Sequence, residues 1–300
     1  VDIYLPIANL SVNALVIVLL GTGVGLLSGM FGVGGGFLTT PLLIVYGIPP
    51  TVAAASAATQ VTGASVSGVY AHLRRGGVDM HMGGVLVVGG VLGSLAGAGI
   101  FRLLQASGQI DVVIAAIYVA MLGFIGILMG KEALEAILGT KAKAAKRRHH
   151  PLVASLPFRM RFYASGLYIS PLAPLLLGFF TGILTVLLGI GGGFILVPAM
   201  LYILGMSTGV VVGTSLFQTL FVTASATLVH ATTTKAVDIV LAALLLLGSV
   251  TGAQLGARLA GKARPEYLRL ALAIVVLLVA LRIILGLTWR PDEIYTVEPL

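Results

Sequence analysis

Apolar stretches close to membrane-spanning length recur along this 300-residue chain, at 11–31, 33–47, 51–72, 83–104 and 110–130, then at 170–188, 190–205, 209–230, 237–260 and 267–289. A helix needs about 20 predominantly apolar residues to cross hydrocarbon, and most of these stretches reach that length. Only 9% of the residues are charged and 58% are apolar, against about 25% charged in a soluble domain. Water is a poor solvent for such a chain and lipid a good one. The expected fold is all-α and polytopic. The stretches 33–47 and 190–205 are shorter and flanked by glycine, which reads as half-helices or re-entrant segments.

The chain repeats itself. Phe31-Gly32-Val33-Gly34-Gly35-Gly36-Phe37 runs on to Pro41, and Leu188-Gly189-Ile190-Gly191-Gly192-Gly193-Phe194 runs on to Pro198. Gln60 then matches Gln218, His72 matches His230 and Asp79 matches Asp238. Gly89, Gly93 and Gly97 match Gly248, Gly252 and Gly256. Two single-residue insertions bring all of these into register, so the chain is an internal duplication. Each half carries five apolar segments. An odd number makes the second half enter the membrane upside down relative to the first, an inverted-topology repeat. The expected division is a first repeat at 1–130, a basic linker at 131–169 and a second repeat at 170–300.

Charge supports that orientation. The net charge is +8, and Lys141, Lys143, Lys146, Arg147, Arg148, Arg159 and Arg161 concentrate in the linker. Placed in the cytoplasm, the linker brings Arg74, Arg75, Lys262, Arg264 and Arg269 to the same side, and both termini fall outside. The excess is a topology signal rather than a nucleic-acid footprint. Residues 1–13 lack the basic start and small-residue cleavage site of a removable signal peptide. Absence of cysteine excludes disulfides and thiolate chemistry.

Four glycines in five residues cannot form a quiet helix interior, since each costs about 1 kcal/mol against alanine there. Gly34, Gly35, Gly36 and their counterparts Gly191, Gly192, Gly193 should break the helix. In hydrocarbon, broken backbone is tolerated only where protein or a water-filled cavity receives it. The helix restarting after each run offers free N–H groups and the positive end of its dipole, which suits an anion. Paired broken helices are the best sequence pointer to a transporter's substrate site. Close packing by small residues is the competing account.

Just beyond each run lie polar residues in an apolar helix: Ser56, Thr59, Gln60 and Thr62, then Thr214, Ser215, Gln218 and Thr219. Intervals of three and four put Ser56, Thr59 and Gln60 on one face. These neutral groups could bind an anion that must also leave, or hydrogen-bond neighbouring helices. His72 and His230 read as interfacial helix-end residues or as a proton-linked gate. Asp79 and Asp238 read as helix N-caps. The glycines repeating every four residues read as tight helix packing, within one chain or between copies in a homo-oligomer. Arg282 is expected to snorkel to the interface. No paired carboxylate, HExxH or nucleophile elbow occurs, so an enzyme is not expected, and no cofactor or metal is called for.

In Gly25–Pro41, Gly63–Asp79 and Gly182–Pro198, with Gly213-Thr214-Ser215, the chain resembles the TauE/SafE family of sulfite exporters and anion permeases. The resemblance covers nearly the whole chain. It implies a permease of a bacterial or archaeal inner membrane for sulfur-containing anions such as sulfite or organosulfonates. The family often shows a Thr-Ser pair in each repeat. Here the second half has Thr214-Ser215 and the first has Ser56-Ala57, a departure that weakens the claim that both halves contribute equally to binding. The reading is a secondary transporter with its anion near midplane and one half rocking against the other. A passive channel and a non-transporting scaffold are the alternatives.

Overall fold

The computed structural model describes residues 2–31, 36–138, 160–260 and 265–288. Gly34, Gly35 and most of the basic linker lie outside these. The described residues form ten α-helices and two small hairpins, so the all-α expectation holds.

The first half runs β1 (Asp2–Leu5), β2 (Leu10–Asn13), α1 (Ala14–Phe31), α2 (Gly36–Tyr46), α3 (Pro50–Arg74), α4 (Met80–Ala106) and α5 (Ile110–Ile137). The second runs β3 (Met160–Phe162), β4 (Leu167–Ile169), α6 (Leu172–Leu188), α7 (Gly193–Tyr202), α8 (Thr208–Val229), α9 (Ile239–Ala260) and α10 (Pro265–Thr288). A π-helical turn, His230–Thr234, follows α8. Five of the described segments are long and apolar enough to cross a membrane: Met80–Ala106, Ile110–Ile137, Gly209–Thr234, Ile239–Gly256 and Leu270–Thr288. The helices α2 and α7, at 11 and 10 residues, extend only about 15 Å each at 1.5 Å per residue. That is half the hydrocarbon thickness, as the flanking glycines led one to expect. Large apolar side chains such as Phe124, Leu95, Leu247 and Leu278 stay exposed on the outer faces, where lipid would cover them.

The two halves interlock. The first helix of each packs along the fourth helix of the other, α1 on α9 and α4 on α6, while α3 meets α8 and α5 meets α10. Glycine makes the first two seams. A Cβ at Gly89 or Gly93 of α4 would lie 2.1 or 2.0 Å from the carbonyl oxygens of Leu175 and Phe179 on α6. At Gly248, Gly252 and Gly256 of α9 it would lie 2.2, 2.1 and 2.1 Å from those of Val18, Thr22 and Leu26 on α1. The seams return the favour from α6 and α1, where Gly182 and Gly25 meet Gly90 O and Ser249 O at 2.1 and 2.3 Å. Backbone therefore touches backbone along both seams, the packing expected of the four-residue glycine spacing.

Both aspartates cap helices. Asp79 Oδ1 accepts from Met82 N at 3.0 Å, and Asp238 Oδ1 accepts from Val240 N and Leu241 N at 3.1 Å each. Each also holds a hairpin by its other oxygen. Ile7 N, at the β1–β2 turn, donates to Asp238 Oδ2 (3.2 Å). Ser165 N, at the β3–β4 turn, donates to Asp79 Oδ2 (2.9 Å), and the Ser165 hydroxyl donates there too. The hairpins are absent from the sequence-based reading, which placed β3 and β4 in the linker.

Candidate anion site at the glycine break

Between α6 and α7 the chain turns through Gly189, Gly191 and Gly192 at φ +70°, +69° and +75°. Non-glycine residues adopt this left-handed region only at a cost. At Gly189 space is closed as well, since a Cβ would lie 2.1 Å from Ala54 O. Four carbonyls in and just before the break are engaged. Val186 O lies 2.8 Å from His230 Nε2. Leu188 O accepts from Thr40 Oγ1 at 3.0 Å and from the Tyr118 hydroxyl. Gly191 O accepts from Thr219 Oγ1 at 2.8 Å, and Gly192 O takes the N–H groups of Ile195 and Leu196. The N–H groups of Gly192, Gly193 and Phe194 precede any intrahelical acceptor. Gly191 O and Gly192 O, the acceptors nearest α7, are thus used, and free donors that lead a helix dipole favour negative charge there.

The start of α2 lies against this break. Gly36 is buried, and a Cβ there would lie 3.0 Å from both Gly189 O and Ile190 O. Phe37 and Phe194, the residues following the two glycine runs, stack face to face. The starts of α2 and α7 therefore meet.

The matched glutamines are both almost wholly buried. Gln60 Nε2 donates to Ser249 Oγ at 2.8 Å, and Thr39 Oγ1 donates to Gln60 Oε1 at 3.4 Å. Gln218 Nε2 donates to Thr181 Oγ1 at 3.3 Å. Its Oε1 accepts no hydrogen bond among the described residues, and it lies 3.7 Å from where a Gly192 Cβ would stand.

The other expected residues divide. Ser56 Oγ accepts from Asp238 N at 3.1 Å and Thr214 Oγ1 from Asp79 N at 2.9 Å, so each fixes the cap of the other half's fourth helix. Thr59 turns away from Ser56 and Gln60 and meets Thr227 on α8 at 3.3 Å. Ser215 donates back to Val212 O at 2.9 Å. The histidines differ in setting. His72 is half-buried at the end of α3. His230 is fully buried, its ring edge-on to Phe101 and its Nδ1 3.2 Å from Thr234 Oγ1. A carbonyl only accepts, so the proton of His230 sits on Nε2, facing Val186 O. Sequence reasoning missed Thr39, Thr181 and Ser249. The signal for Thr181 was its spacing with Thr185 inside an apolar helix; Ser249 is a lone serine between glycine and valine and gave none. A cavity of about 400 Å³ lined by Asp111, Arg282 and Pro50 opens between the ends of α2, α5 and α10; it does not touch Gln218.

The family model described as sulfite exporter TauE/SafE matches residues 17–283, across both halves and both breaks. The chain belongs to the TauE/SafE family. A protein of Bacillus subtilis (strain 168) named probable membrane transporter protein YjnA is 29% identical over 271 residues, covering 89% of this chain and 98% of the relative. A probable membrane transporter protein of Xylella fastidiosa (strain Temecula1 / ATCC 700964) is 29% identical over 280 residues, covering 91% and 95%. No solved structure matches the chain. The TauE/SafE assignment and these relatives make the protein a multi-pass membrane transporter rather than an enzyme.

Proposed function

We propose that this transporter carries a small sulfur-containing oxyanion, such as sulfite or an organosulfonate, across a bacterial or archaeal inner membrane as a secondary permease. The two halves insert with opposite orientation, the basic linker facing the cytoplasm and both termini outside. The observation that carries the reading is the polarity at the start of α7: the nearest carbonyls, Gly191 O and Gly192 O, are bonded to Thr219 and to the α7 backbone, and the leading N–H groups open a helix beside Gln218. An anion there is held by backbone dipoles and a neutral amide, which bind without the desolvation cost of a buried arginine. The start of α2 at Gly36 is the counterpart in the first half.

The backbone seams of α1 on α9 and α4 on α6 tie the halves together, which argues against rocking one whole half on the other. The moving parts in this reading are the half-helices α2 and α7 with the ends of α3 and α8. Proton coupling through His230, whose imidazole holds Val186 O at the edge of the break, is a further part of the proposal; a pH gradient driving uptake that is lost in His230→Gln would support it.

Ligand-induced thermal stabilisation of detergent-purified protein tests the substrate class. Sulfite, sulfate, thiosulfate and methanesulfonate are the probes. A ligand at 100 times its Kd adds about 2.7 kcal/mol. A saturable shift with one of them supports the reading; no shift with any contradicts it.

A further inference from the structure

Duplication should have left two equivalent glutamines, yet their surroundings have diverged. In register with Ser249, which accepts from Gln60, the first half has Gly90, and a Cβ at Gly90 would lie 3.0 Å from Gln218 Nε2. In register with Thr39, which donates to Gln60 Oε1, the second half has Leu196. Both hydroxyls that saturate Gln60 are thus missing around Gln218. Its one side-chain partner, Thr181, stands in register with Val24. What remains is a fully buried amide oxygen with no donor among the described residues, aimed at the residue that opens α7.

An unsatisfied buried acceptor is costly and is retained where something else repays it. We propose that the two glutamines have divided their roles: Gln60 is a cross-link between α3 and α9, and Gln218 is the amide that binds the transported oxyanion. The transporter then has one asymmetric site, at the start of α7. The inference rests on the anion reading given above. As placed, Gln218 Oε1 accepts the O–H of a singly protonated oxyanion while the N–H groups of Gly192 and Gly193 meet its charged oxygens. Turned over about its last torsion, the amide offers Nε2 to an unprotonated oxygen, and the Thr181 hydroxyl, which donates to Gly178 O in this structure, releases that carbonyl to donate to Oε1. Side chains of Thr181, Thr219 and Thr223 crowd Gly191 and Gly192, so the anion enters as the break separates from α8.

The test compares Gln218→Leu, Gln60→Leu and Leu196→Thr in the full-length purified chain, with sulfite and methanesulfonate as probes and both Kd and unliganded Tm as readouts. Gln218→Leu should keep or raise Tm and weaken binding about tenfold or more. Gln60→Leu should lower Tm, because it removes the hydrogen bonds that join α3 to Ser249 and Thr39, and hold Kd within about threefold. Leu196→Thr supplies the missing donor and should weaken binding while preserving the fold; with Gln218→Leu it decides the matter even if Gln60→Leu does not fold. Wild-type Kd in Gln218→Leu, or equal weakening by the two glutamine variants, overturns the division of roles while leaving the anion reading standing. No binding of either probe by the wild-type chain overturns both.

Discussion

The rings of Phe37 and Phe194 stack with centroids 4.1 Å apart and planes 7° from parallel. Each follows its own glycine run, so the pair joins corresponding positions of the two repeats. The stack locks the starts of α2 and α7 together. A double-mutant cycle with Phe37→Leu and Phe194→Leu should give a coupling energy of about 0.5–1.5 kcal/mol. Additive effects on thermal unfolding would mean that the rings are neighbours without mutual stabilisation.

The seams predict a sharp contrast among glycines. At Gly93 and Gly252 a Cβ would run into a carbonyl oxygen 2.0 and 2.1 Å away, whereas at Gly23 and Gly99 it meets nothing within 4 Å. Gly93→Ala and Gly252→Ala should each cost about 1–3 kcal/mol through forced separation of the helices. Gly23→Ala and Gly99→Ala should leave stability unchanged or raise it by up to about 1 kcal/mol through helix propensity. Unfolding temperatures in detergent separate the two groups.

Asp79 and Asp238 each combine a helix cap with a hairpin latch. Removing a cap costs about 0.5–2 kcal/mol, and buried donors left behind add to that. Asp79→Ala and Asp238→Ala should therefore each lower the unfolding temperature, and Asp79→Ala should also expose the β3–β4 hairpin to protease. Resistance equal to the parent's would show that the hairpin is held by its apolar contacts, Phe162, Leu167 and Ile169, alone.

Gly192 sits at φ +75° with Thr181 Cβ 3.1 Å from a would-be side chain. Gly192→Ala should add about 1–3 kcal/mol of strain, and Gly192→Leu should abolish transport while the protein still reaches the membrane. Normal transport by Gly192→Leu would remove the second break from the site.

Much of this architecture was legible because lipid, helix period and glycine spacing leave few choices. The half-helices follow from lengths too short to span, the caps from Asp79 and Asp238 preceding apolar runs, and the seams from glycine at every fourth residue. What escaped was set by tertiary partners. Ser56 and Thr59 share a helical face by spacing, yet one meets the Asp238 backbone and the other Thr227, because α9 and α8 approach α3 from different sides. The difference between Gln60 and Gln218 lies in Ser249, Thr39, Gly90 and Leu196, none adjacent to either in sequence. His72 and His230 match in the alignment and differ in burial, since Phe101 covers only the latter.

Sulfite flux into sulfite-loaded proteoliposomes is the measurement that bears most directly on the central claim. The account predicts saturable uptake of labelled sulfite, accelerated by unlabelled sulfite on the far side and lost in Gly192→Leu. Flux that rises linearly with concentration without acceleration, or no flux at all from correctly inserted protein, would contradict it.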